Sequence, residues 1–269
     1  MQNESCGWTK GEEAHPVQLT SPLLPVKDIQ IMASQHVVIV GGSSGVGLAT
    51  ASQLLGLGFN VTITGRDINR LESARDTLKG TARAIVMDGA DVASVRSGFA
   101  DIGNFDHLVV ALSGARGGGP FASVEVSEVR GGFEQKVFPH FATAQAALPF
   151  LPRDGSITFV SAVSAQAAFP GTAGLASANA AIEALVPVLA VELKPLRVNC
   201  VSPGVIDTPW WDFLPEEQRK AAFAEYATKT PVGRVGQAED IAKAITFLVS
   251  NSFMSGHTIV CDGGLRLAA

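Results

Sequence analysis

From His36 onward, short apolar runs alternate with longer stretches whose apolar residues recur every three or four positions. The runs "HVVIV", "NVTIT", "ARAIVMD", "HLVVALSG", "SITFVSA", "LRVNCVSPG" and "HTIVCDGG" predict seven strands. They are apolar on both faces, as strands of a parallel sheet covered on both sides must be. Between them "GLATASQLLGLG", "DINRLESARDTLKG", residues 92–101, one long stretch over 123–149, "TAGLASANAAIEAL", residues 215–228 and "AEDIAKAITFLVS" have helical spacing. Strand–helix alternation with right-handed crossovers predicts an α/β fold, a Rossmann-type doubly wound parallel sheet of about seven strands in a single domain. That domain is expected over residues 34–269. Residues 1–33 show no steady period and no signal-peptide core, and are expected to be a disordered extension. Met32 opens "MASQHVVIVGG" and is an alternative start.

The 269 residues, 46% hydrophobic, suffice for one sizeable core. A net charge of −5 with scattered Lys and Arg argues against a nucleic-acid partner. Cys6, Cys200 and Cys261 share no metal-ligand or disulfide spacing, so no metal is expected and a cytoplasmic setting is. No apolar run is read as long enough for a membrane span, so no membrane partner is expected.

The segment "VVIVGGSSGVGLAT" ends a strand and opens a helix. Gly41 permits the tight turn, Gly45 lets backbone approach a pyrophosphate, and Gly47 lets helix and strand pack closely. Ser43, Ser44 and Val46 complete the cradle, and the helix start offers free N–H groups to phosphate. The next strand ends in "TGRD", where an acidic residue would hold a free ribose 2′-OH. Arg66 stands there instead, and a guanidinium suits a 2′-phosphate, so NADP(H) is expected over NAD(H). Asp88 could accept from the adenine amino group or cap the following helix.

With "GGSSGVG", "TGRD", "MDGAD", "VELKPLRVNCVSPGVIDTPW", "TPVGRVGQAEDIAKAITFLVS" and "GHTIVCDGG", residues 34–264 resemble the short-chain dehydrogenase/reductase family. The resemblance implies a cofactor over the C-terminal edge of the sheet, near Gly114, and a homodimer or homotetramer built partly through the helices after strands four and five. It places Pro203, Gly204, Ile206 and Thr208 against the nicotinamide. It also implies a catalytic Asn-Ser-Tyr-Lys set, in which tyrosine gives the proton, serine binds the same oxygen, lysine lowers the phenol pKa and asparagine anchors a water. Here those positions hold Lys136, Ala162, Leu175 and Asn179. Asn179 could still touch a ribose hydroxyl, without charge.

The substitutes within reach are weak. His140, one turn after Lys136, and Ser113, at the end of the fourth strand, are candidates for an acid. Ser161 and Ser164 are expected to face away from Ala162 by strand alternation. Trp210 and Trp211 either stack on a flat or cationic substrate or pack within a lid over residues 207–230. Two readings stand. One is an NADPH-dependent reductase of a small-molecule acceptor, an imine, iminium or enone, that needs little protonation. The other is a redox-silent NADP(H)-binding protein acting as sensor, scaffold or non-redox cyclase.

Overall fold

Along β1 (His36–Val40) the side chains divide cleanly between two faces. Val37 and Ile39 enter one buried cluster with Leu54, Ile63, Ile241 and Ile245. Val38 and Val40 enter another with Phe99, Leu108, Phe159 and Ile182. A strand buried on both sides must sit in the middle of a two-sided sheet. The computed structural model describes residues 35–268, so the extension expected over 1–33 lies outside the described residues.

The sheet adds β2 (Asn60–Gly65), β3 (Arg83–Val86), β4 (His107–Val110), β5 (Ser156–Val160), β6 (Arg197–Pro203) and β9 (Thr258–Cys261). Its order is β3-β2-β1-β4-β5-β6-β9, every neighbour parallel. The direction of winding reverses between β1 and β4, which opens the ligand crevice at their C-terminal ends. The helices are α1 (Gly45–Gly56), α2 (Ile68–Thr77), α3 (Val92–Ile102), α4 (Val126–Gln135), α5 (Val137–Ala147), α6 (Ala173–Glu192), α7 (Glu216–Lys229) and α8 (Ala238–Ser250). The seven-stranded doubly wound sheet is as expected.

Three features depart from the sequence reading. The single helix expected over 123–149 is two, α4 and α5, broken at Lys136 (φ −128°, ψ −58°). Pro139 explains the break, since it lacks an N–H and its ring crowds the carbonyl four residues earlier, at Gln135. A two-stranded pairing of β7 (Ile206–Asp207) with β8 (Gly236–Gln237) was not foreseen. It is too short to show a period, yet it pins the "SPGVIDTP" loop to the start of α8. Finally, α6 has 20 residues and is long and apolar enough to cross a membrane by length and composition, contrary to the expectation of no such run. Asn179 and Glu183 interrupt its apolar pattern in sequence. In the fold, Gly174, Ala178, Ile182 and Val186 are its buried face.

Candidate active site

The glycine turn has the stereochemistry its sequence demands. Gly41 (φ +90°) has its open side against the Ala111 carbonyl, where a Cβ would come within 2.7 Å of the oxygen. A Cβ on Gly47 would collide with the Gly41 carbonyl oxygen. Gly45 (φ +51°) faces Thr208, whose Cβ would lie 3.4 Å from a Cβ there. The turn and the "SPGVIDTP" loop are therefore opposite walls of one crevice. Ser44 stands at the N-cap of α1 without a side-chain capping bond. The N–H groups of Gly45, Val46 and Gly47 have no acceptor among the described residues. Such a helix start, bared by glycines that admit no side chain, fits a pyrophosphate.

At the end of β2 a cationic corner forms. Gly65 lies against Ser43, with the serine Oγ 3.1 Å from where a Cβ would stand. Arg66 is exposed. Asp67 does not neutralise it, because its Oδ1 caps α2 by accepting from the Asn69 and Arg70 N–H groups at 2.9 and 3.0 Å. Arg70 turns back toward the cradle, its Nη2 3.4 Å from Ser44 Oγ. The sequence reading missed Arg70, although it follows Arg66 by one helical turn, a readable spacing. Asp88 does not cap the following helix. Its Oδ1 accepts from Ala90 N at 3.0 Å in a local turn, while Asp91 caps α3 through Ala93 N at 2.9 Å.

The other half of the crevice lies at the ends of β4, β5 and β6. Gly114 packs on Gln135, and its carbonyl accepts from Trp210 Nε1 at 3.4 Å. Gly204 lies against Asp262, its N–H donating to the Cys261 carbonyl at 3.0 Å. Pro203 closes β6, and Ile206 is buried beneath the loop. Leu175 is half-buried in the first turn of α6, 3.6 Å from where a methyl group on Gly118 would stand. Ala162 is half-buried and immediately precedes the 3₁₀ turn Val163–Ala165. Asn179 is 4% exposed. Its Nδ2 donates to Leu175 O at 3.0 Å and Ser164 Oγ at 3.1 Å, and its Oδ1 has no partner.

That contact corrects the expectation for Ser164. Alternation puts Ser164, two residues on, on the same side as Ala162 and only Ser161 on the other. The strand in any case ends at Val160, with Ser164 in the 3₁₀ turn Val163–Ala165 that faces α6. Ser161 does stay away from the crevice, its Oγ donating to Glu183 Oε1 at 2.7 Å. Lys136 is 8% exposed and its Nζ donates to Ser161 O at 3.1 Å, while burial lowers its pKa to about 8.

Burial takes one of the two candidate acids, His140, out of reach of the crevice. His140 is fully buried, its Nδ1 2.8 Å from Lys136 O and donating to it, its ring against Phe159. Burial, reinforced by the Lys136 charge, pushes its pKa down to about 3, so near neutral pH it is a neutral imidazole and not an imidazolium acid. Ser113 is exposed and makes no hydrogen bond among the described residues, so it caps no turn. The tryptophans pack mainly on the lid itself. Trp210 and Trp211 meet edge to face at 5.0 Å, and Trp211 meets Phe223 at 5.5 Å and Tyr226 at 6.1 Å. Trp211 Nε1 also donates to Ile206 O at 3.1 Å, tying the lid to β7. Among the described residues no group of His, Cys, Asp or Glu is placed to hold a metal ion.

A family model described as enoyl-(acyl carrier protein) reductase matches residues 40–266. The 3-oxoacyl-[acyl-carrier-protein] reductase of Chlamydia pneumoniae is 28% identical over 246 residues, 87% of this chain and 98% of that protein. A small-chain dehydrogenase solved in complex with NADPH superposes with a TM-score of 0.76 at 33% identity, over 87% of this chain and 99% of that one. A short-chain oxidoreductase from Pseudomonas aeruginosa PAO1, described as containing an atypical catalytic center, superposes with a TM-score of 0.79 at 29% identity, over 87% and 98%. Fold, phosphate cradle and relatives agree, and the chain belongs to the short-chain dehydrogenase/reductase family of NAD(P)-dependent oxidoreductases.

Proposed function

We propose that the protein binds NADP(H) in preference to NAD(H) and reduces an activated acceptor, an iminium, imine or enone, without a tyrosine acid. The observation that carries this is the pair Leu175 and Ala162 at the reacting end of the crevice. Neither side chain can donate a proton or bind an oxyanion, and His140, the nearest histidine in the sequence, is sealed in the core. An acceptor that already carries positive charge, or whose electron pair is drawn into a conjugated carbonyl, needs little help there. The atypical center described for the Pseudomonas relative supports the same reading.

The cofactor, when bound, supplies hydride. Gly45, Val46 and Gly47 would hold its pyrophosphate, Ser43, Ser44, Arg66 and Arg70 its 2′-phosphate, and the Ile206–Thr208 loop its carboxamide. Asp88 retains one carboxylate oxygen for the adenine amino group. Asn179 and Ser164 stand where a ribose hydroxyl would lie. Calorimetric titration tests this. Arg66→Ala should weaken NADPH about 10- to 100-fold, the loss of a charged hydrogen bond, and leave NADH unchanged. Equal losses for both would count against a 2′-phosphate site. An acceptor panel tests the chemistry, with NADPH consumed on imines or enones and not on simple ketones. The indole–Gly114 bond, which ties the lid to the segment after β4, favours a second, redox-silent reading, to which absence of turnover on every acceptor would lead.

We also infer a homodimer or homotetramer. Phe138 and Phe141 on α5 and Val188 and Val191 on α6 are all about half or more exposed, an apolar face that a second copy would cover. Light scattering should return a multiple of the chain mass, and a monomer at micromolar concentration would overturn it.

A further inference from the structure

Lys136 is the one lysine among the described residues whose side chain is buried. It occupies the break between α4 and α5, and it reaches the Ser161 carbonyl at the C-terminal end of β5, one residue before Ala162. This is the half of the sheet edge beyond the β1/β4 reversal, where the reacting end of a dinucleotide lies once its adenosine end occupies the Arg66 corner. One of three ammonium protons is used, and among the described residues no carboxylate stands within ion-pair distance of it.

The groups facing it leave that charge in place. From α6, the Glu183 carboxylate takes the Ser161 hydroxyl on Oε1 and Gln166 Nε2 on Oε2 at 2.7 Å. Both donors are neutral, so it stays anionic and favours the charged lysine, a fixed charge that is the same with either form of the cofactor. From β6, the Cys200 thiol is pushed up to about 12 by burial and stays neutral. From α5, His140 is neutral and turned toward the Lys136 carbonyl. A buried ammonium without an ion pair is costly, and no structural partner in the fold requires it.

We propose that Lys136 is an electrostatic selector for the redox state of the cofactor, admitting NADPH and disfavouring NADP⁺. This rests on the cofactor reading above. The nicotinamide ring carries a positive charge when oxidised and none when reduced, so a nearby ammonium repels one form only. By linkage, bound NADP⁺ lowers the Lys136 pKa, and NADP⁺ affinity rises once Lys136 loses its proton. The lowered pKa of about 8 puts that change in a measurable range. A reductase with this device exchanges spent cofactor readily. A redox-silent protein with it reports the NADPH/NADP⁺ ratio.

The test is calorimetry of NADPH and NADP⁺ binding to the full chain between pH 6.5 and 9.5. The Kd ratio of NADP⁺ to NADPH should fall about tenfold on raising the pH, one pKa unit of linkage. The 2′-phosphate is common to both ligands, so its own titration cancels in the ratio. Lys136→Met should give a low, pH-independent ratio, and Lys136→Arg a high, pH-independent one. A flat ratio in the unmodified protein, or a fall that persists in Lys136→Met, overturns the proposal while leaving the cofactor reading intact. Binding of neither ligand overturns both. Thermal melts establish that each variant is folded, and the unmodified protein's profile decides alone if neither variant is.

Discussion

Alanine at Gly47 destabilises the protein and weakens NADPH, whereas alanine at Gly56, at the other end of the same helix, stabilises it. The new Cβ at Gly47 lands on the Gly41 carbonyl oxygen, closer than any non-bonded contact allows. The obstacle is backbone on the neighbouring turn, not the tip of a flexible side chain. Either α1 moves off β1 or the turn opens, and both displace the N–H groups that face the phosphates. Overpacking of this kind costs about 1–3 kcal/mol and sometimes more. NADPH should bind at least about tenfold more weakly, since the loss of one well-placed charged hydrogen bond is enough for that. At Gly56 a Cβ meets nothing within 4 Å, and the residue is the last in α1. Alanine there gains helix propensity and narrows the unfolded ensemble, worth about 0.5–1 kcal/mol. Urea unfolding and calorimetry on the two variants give opposite signs. A Gly47→Ala protein with unchanged stability and affinity would show that α1 does not pack as described.

The protein should lose stability from pH 6.5 downward, well above the range of ordinary carboxylate titration. Two histidines are buried neutral. His140 is held down to about 3, mainly by burial and secondarily by Lys136. His107, hydrogen-bonded through Nδ1 to Ser156 Oγ at 2.8 Å, is held down to about 4, mainly by burial and then by Arg197. His36 is lowered in the same direction, again by burial first. Each binds its proton more readily unfolded than folded. Their stabilisation is therefore complete above about pH 6.5 and is lost as pH falls toward the folded pKa. By pH 5 the loss is roughly 2 kcal/mol for each of His107 and His140, a large share of a typical domain's stability. Lys136 acts with the same sign at the other end of the scale. Its folded pKa of about 8 is below that of a free lysine, so stability rises between pH 8 and the free lysine value. Thermal melts from pH 4.5 to 9.5 check this. His140→Gln should flatten part of the acid limb, and an acid limb unchanged in that variant would remove His140 from the explanation.

Much of the site was readable before any fold was known, for local reasons. Gly41, Gly45 and Gly47 stand in one turn between a strand and a helix, and their roles follow from that turn's stereochemistry. Arg66 closes the next strand and needs only the strand's end to be placed. Asp88 was read as a possible helix cap, but Asp91, three residues on, competes for the same helix start and wins. Ser164 was misplaced because a residue two positions after Ala162 shares its side under alternation, and because the strand ends at Val160, before either residue. His140 appeared as a possible acid because its helix period puts it one turn from Lys136, and only burial disqualifies it.

What the sequence determined by itself is the alternation of seven strands with helices and the glycine turn between the first strand and its helix. These follow from periodicity and turn chemistry over a few neighbouring residues. The tertiary structure alone decided which distant groups meet. Asn179 meets Ser164 across 15 residues, Lys136 meets Ser161 across 25, and Trp210 meets Gly114 across 96. Such pairings depend on how helices seat on a sheet, and so do the burial and desolvation that shift Lys136 and His140, because both are properties of the packed interior that no local pattern of residues encodes.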